Sequence, residues 1–92
     1  MYRFEPGAYK TPEGFLPAIG CYKIITSSSE VFDYVLVNVK AILKTEDHAV
    51  EKATESLNNA FKKRKATGKD KTVGESLHKE GYKKVDNPLI AK

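Results

Sequence analysis

The spacing of hydrophobic and polar positions changes character along the chain, and each change predicts an element. In residues 1–20, Pro6-Gly7, Pro12-Glu13-Gly14, Pro17 and Gly20 interrupt any helical period and mark tight turns. Only short segments, Tyr2 to Phe4, Ala8 to Lys10 and Phe15-Leu16, lie between them. The expectation is a turn-rich N-terminal ribbon with at most one short strand, its aromatics Tyr2, Phe4, Tyr9 and Phe15 lying over the core.

Residues 21–43 contain two β-rich runs, Cys21 to Thr26 and Val31 to Leu43, joined by the polar Ser27-Ser28-Ser29-Glu30. This reads as an antiparallel hairpin. In the second run Val31, Val35, Val37 and Val39 share one parity, broken by Asp33, and Phe32, Tyr34, Leu36, Asn38 and Lys40 share the other. A helix capped at Ser29 competes, because apolar positions are dense enough for either period; the β-branched content favours the strand.

Residues 45–67 switch to a helical period, with Val50, Ala53, Leu57, Ala60 and Phe61 forming one stripe. Thr45 is the N-cap, Glu46 and Asp47 fill the first turn, Lys62, Lys63, Arg64 and Lys65 end the helix, and Gly68 stops it. Such a narrow, Ala-containing stripe suits a helix lying on a sheet. Thr72-Val73-Gly74-Glu75 has capping-box spacing for a shorter helix ending near Glu80-Gly81, and Tyr82 to Val85 reads as a lysine-bearing edge strand. Together these elements predict one α+β domain, a small antiparallel sheet with one long and one short helix packed on one face.

Length agrees with a single domain, since 92 residues bury one modest core. One cysteine, Cys21, cannot form an internal disulfide, so a reducing, cytoplasmic setting is expected, with Cys21 a buried thiol. The start Met-Tyr-Arg-Phe-Glu-Pro-Gly carries no apolar stretch, and the longest apolar run is Tyr34 to Val37, so neither an export signal nor a membrane contact is expected.

Charge changes the picture more. Residues 1–60 hold six basic against eight acidic side chains, a net of −2. Residues 61–84 hold Lys62, Lys63, Arg64, Lys65, Lys69, Lys71, Lys79, Lys83 and Lys84 against Asp70, Glu75 and Glu80, a net of +6. A local excess of this kind is the electrostatic footprint of a surface that meets phosphate, against the plainer reading of a solvated helix end answering its dipole. Lys outnumbers Arg eight to one here, which suits backbone phosphates better than base edges. Asn58, Asn59 and Thr67 add neutral donors on the same helix, and Tyr22, Tyr34 or Tyr82 are candidates to stack on an unpaired base.

Sets that would carry other chemistry are missing. There is no Cys-x-x-Cys or His-x-x-x-His, and His48 and His78 stand 30 residues apart, so no metal site is expected. No glycine spacing matches a phosphate loop or dinucleotide fold, and Glu46-Asp47 and Glu51-Glu55 are explained by the helix dipole. No cofactor and no catalysis are expected.

The order of hairpin then helix resembles the second half of a double-stranded RNA-binding domain. That family places lysines at the start of the last helix, whereas this helix begins Thr45-Glu46-Asp47, so the phosphate-binding motif is not carried over. In size, charge polarity and lack of a catalytic set, the chain resembles the small phage-encoded anti-CRISPR inhibitors of type I surveillance complexes. That resemblance implies a binder of a host nucleoprotein effector, with the lysines of 61–84 against guide RNA or in a target-DNA channel. Three function classes therefore stand: a non-enzymatic binder of nucleic acid or ribonucleoprotein; a protein-only interaction module using the aromatics of the ribbon and hairpin; and a DNA-binding regulator, disfavoured because 72–80 is short and carries Lys79 alone.

Overall fold

The computed structural model describes residues 2–68 and 72–85. In chain order it contains β1 (Tyr2–Thr11), β2 (Gly14–Thr26), β3 (Ser29–Asn38), α1 (Glu46–Thr67), α2 (Thr72–Lys79) and β4 (Tyr82–Val85). The strands form one antiparallel sheet in the order β1-β2-β3-β4. This is the expected α+β class, with one correction at the N-terminus. The expected ribbon over 1–20 is a strand pair, β1 against β2, in unbroken register from Tyr2↔Lys23 to Thr11↔Gly14.

Its prolines sit where a sheet tolerates them. Phe15 and Leu43 exchange both backbone hydrogen bonds, at 2.7 and 2.8 Å, so odd-numbered residues of β2 direct their backbone polar groups toward the β3 side. Pro17 therefore lacks its N–H where the β2–β3 register has ended at Ala18↔Val37 and no ladder bond is due. By the same alternation Pro6, opposite Ile19, turns its nitrogen to the free edge of β1. The turn is Pro12-Glu13, neither with positive φ, and Thr11 Oγ1 accepts from the N–H groups of Glu13 and Gly14 at 3.3 and 3.1 Å. Gly14 has φ 151°, and a Cβ there would lie 2.5 Å from the Leu43 carbonyl oxygen, so this position requires glycine.

The two faces of the sheet differ. Pro6–Ile19–Leu36 and Phe4–Cys21–Tyr34 are cross-strand rows on the face that meets the helices. Leu16, Ala18, Val35 and Val37 form a second buried cluster on the opposite face, with Tyr9 and Val85 against it. Bulges fall at Asp33 and Ile25, between Cys21↔Tyr34 and Tyr22↔Phe32 and again between Ile24 and Thr26. The Asp33 bulge reverses parity, so the four valines read as one face are split: Val35 and Val37 are buried, whereas Val31 is exposed and Val39 lies exposed beyond β3.

α1 packs through Ala49, Ala53, Ser56, Leu57 and Ala60, all buried, with Val50 and Phe61 at the margins. Small side chains at steps of three and four let the helix approach the Ile19–Cys21 surface closely. Thr45 Oγ1 caps it by accepting from the His48 N–H at 3.2 Å, and Gly68, at φ 73°, closes it by donating to the Arg64 carbonyl at 2.7 Å. The hydroxyls of Thr67 and Thr72 pair at 2.9 Å across the connection to α2, which adds Val73 and Leu77 to the core.

A part-buried polar knot joins α1, β3 and the residue that follows α2. Ser56 Oγ donates to Glu80 Oε1 at 3.1 Å, and Asn38 Nδ2 donates to the Glu80 carbonyl at 3.4 Å. Tyr82 is fully buried beside them, and its hydroxyl, near Ser56 and Asn38, reaches neither with good hydrogen-bond geometry. A buried unpaired hydroxyl costs about 1–3 kcal/mol. Tyr82→Phe is therefore expected to leave the urea midpoint unchanged or raise it, whereas Tyr82→Ala, which empties a core position, is expected to cost about 3–5 kcal/mol.

Candidate nucleic-acid interface

α1 is charge-graded along its length. Glu46, Asp47, Glu51 and Glu55 occupy its first half, and Lys62, Lys63, Arg64 and Lys65 its last turns. Asn58, Lys62 and Lys65 share the outward face by their spacing, Asn59 and Lys63 share a flank, and all five are exposed. Arg64 turns inward instead, its guanidinium carbon 4.9 Å above the Phe61 ring.

Phe61 begins a run of aromatic contacts that the sequence did not reveal. Its ring meets Phe4 at 6.0 Å, Phe4 meets Tyr2 at 6.4 Å, and Tyr2 meets Tyr34 at 6.2 Å. At the far end Lys84 Nζ lies 4.7 Å above the Tyr34 ring. Lys23, exposed and directly opposite Tyr2 in the register, shares this face. The ladder is placed by simple rules: Tyr2 and Phe4 alternate along β1, Tyr34 opposes Cys21 beside Phe4, and α1 lowers Phe61 onto Phe4. The only sequence signal was the Tyr-x-Phe alternation inside a segment that proline and glycine disguised.

The candidate residues are thus partly assembled and partly dispersed. Arg64 and Lys84 lie on the end rings of the ladder, whereas Lys62 and Lys65 are on the outward face of the same helix end and Lys63 on its flank, with Asn58 and Asn59 one turn below them. Lys83 lies opposite Val37 and so projects from the other face of the sheet. Lys79 ends α2, next to Glu80, which is hydrogen-bonded to Ser56 in the middle of α1, away from the basic end. Lys69 and Lys71 lie outside the described residues.

Of the three tyrosines, Tyr34 alone joins the basic end. Tyr82 is corrected from a candidate stacking residue to a core residue, because it faces the helices opposite Asn38 and is fully buried. Tyr22 is on the other face, with the Arg3 guanidinium carbon 4.4 Å above its ring and Phe32 at 5.5 Å. Arg3 is itself committed, holding Glu30 at 2.8 Å and Glu5 at 3.2 Å. That contact keeps the Glu30 carboxyl below its ordinary value. By contrast, none of Lys62, Lys63, Arg64, Lys65 or Lys84 has a carboxylate within salt-bridge distance among the described residues.

Among the described residues no group of three His, Cys, Asp or Glu side chains is placed to hold a metal ion, and no helix is long and apolar enough to cross a membrane. Comparison with family models, curated proteins and solved structures finds no match.

Cys21 is buried under the ladder, and burial pushes its thiol up to about 12 from an ordinary 9.0; burial with the Cys21 thiol alongside likewise pushes the Tyr34 phenol up to about 12. Both groups stay neutral in the fold at a pH where the unfolded chain ionises, so the unfolded state binds fewer protons and stability falls as pH rises. The urea midpoint is expected to decline between about 9 and about 12, and Cys21→Ala to remove the earlier part of that decline. The folded protein is also expected to resist thiol reagents near neutral pH; rapid labelling without unfolding contradicts this placement.

Proposed function

We propose that the protein is a non-enzymatic binder that engages nucleic acid, free or within a ribonucleoprotein, through the basic end of α1 and the neighbouring Lys84. The observation that carries this reading is that Arg64 from α1 and Lys84 from β4 meet one aromatic-lined surface, with Lys62, Lys63 and Lys65 exposed on the same helix end and, among the described residues, none of the five paired with a carboxylate. Exposed lysines that neutralise phosphates release the counterions condensed on a nucleic-acid backbone, which favours binding at low salt. A solubilising helix end explains the lysines of α1 but not the arrival of Lys84 from β4 at the same surface. The resemblance to anti-CRISPR inhibitors makes a CRISPR surveillance ribonucleoprotein a natural first target, with the basic end against its guide or in its DNA channel.

A second reading, protein-only docking, draws on a separate observation. Ile25, Val31 and Phe32 are 55%, 50% and 37% exposed around the β2–β3 turn. Val31 and Phe32 are on opposite faces of this end of the sheet, and large apolar side chains exposed at one end suit a protein anchor.

Fluorescence anisotropy with labelled DNA and RNA separates the two. Replacing Lys62, Lys63 and Lys65 by Glu is expected to weaken binding about tenfold or more at low salt and to flatten the logarithmic salt slope by about two. Phe32→Ser is expected to leave nucleic-acid affinity unchanged. Equal affinity of wild type and triple variant, or loss on Phe32→Ser alone, overturns the primary reading.

A further inference from the structure

We propose that the ladder Phe61–Phe4–Tyr2–Tyr34 is a stacking platform for the unpaired bases of a single-stranded nucleic acid, an inference that rests on the basic end of α1 being a phosphate-binding surface. Four rings follow one another at 6.0–6.4 Å across three elements, on the face that also carries Arg64, Lys84 and Lys23. Tyr2, in the middle of the run, is the most open of them at 39% exposure, and Phe4, Tyr34 and Phe61 are half-buried at the margin of the core.

Both ends of the ladder are already covered by a cation, Arg64 on Phe61 and Lys84 on Tyr34. A base with its phosphate replaces both halves of such a contact, because the ring face passes to the base and the cation to the phosphate. A duplex cannot use the rings, since its bases are already stacked and paired. Arg64, laid over Phe61, is the one guanidinium among the cations of the helix end and Lys84, and the lysines offer no bidentate fork for base edges, so stacking here tolerates most sequences. Among the described residues one acidic group enters the site: Tyr2 donates its hydroxyl to Asp33 Oδ2 at 2.8 Å, which pins the ring in place and raises the Tyr2 pKa. Asp33 is the bulged residue of β3, so the bulge that reverses strand parity also delivers the acceptor that orients the central ring.

Binding by anisotropy to three ligands of equal length tests this: an oligothymidine or oligouridine strand, the same backbone without bases, and a duplex. The base-bearing strand is expected to bind best, exceeding the abasic strand by roughly 5- to 150-fold per stacked base. Tyr2→Leu, which keeps apolar packing, is expected to reduce that preference while leaving the salt slope unchanged, and Tyr2→Phe to retain it. Equal affinity for base-bearing and abasic strands, or preference for the duplex, overturns the stacking platform while leaving the phosphate-binding reading intact. No affinity for any of the three overturns both.

Discussion

The seating of α1 on the sheet through small side chains is the constraint on which the rest of the structure depends. Ala49, Ala53 and Ala60 are fully buried, with Ser56 and Leu57 between them, so the helix backbone rests close to Ile19 and Cys21. At 22 residues the helix spans about 33 Å, and its axial position is set by this contact and by its two caps. Phe61 then falls on Phe4, Arg64 falls on Phe61, and the lysines of the last turns project beyond the packed stripe. A larger residue in the stripe, Ala53→Leu for instance, lifts the helix and separates the basic end from the aromatic strip of β1 and β3.

The same seating explains why acid and base are segregated. The helix dipole favours Glu46 and Asp47 at the start and cations at the end, and the surrounding sheet adds charge to the basic end alone, through Lys23 and Lys84. Acidic partners are spent on the opposite face, where Glu5 and Glu30 hold Arg3 over Tyr22. On that side Arg3 is paired, whereas on the other Arg64, Lys84 and Lys23 have, among the described residues, no carboxylate partner and stand beside aromatic rings. That asymmetry is a stronger pointer to a polyanion than the modest net charge of +4.

Much of this was legible in the chain and some was not, for physical reasons. The long helix announced itself because cap, charge order, stripe and stop agreed, although the stripe is rotated toward Ala49 and Ser56, which carry little hydrophobic signal. The β2–β3 hairpin was visible in β-branched content, but the Asp33 bulge, which no propensity encodes, split its valines between faces. β1 was hidden because Pro6 and Pro17 look like breakers until the register shows their nitrogens aimed where no hydrogen bond is due. Its turn also lacks the Asn-Gly or Asp-Gly signal, being built on Pro12-Glu13. The lysines of the site were read from composition, but sequence proximity could not show that Lys83 and Lys84 point to opposite faces, or that Tyr2, Phe4 and Phe61 meet.

Backbone amide chemical-shift mapping during titration with a short single strand tests the account most directly. The account predicts the largest changes at Tyr2, Phe4, Lys23, Tyr34, residues 61–65 and Lys84, with Glu46 to Glu55, Tyr22 and Lys83 unmoved. Changes centred on Tyr22, Phe32 and Lys83, or none up to millimolar strand, contradict it.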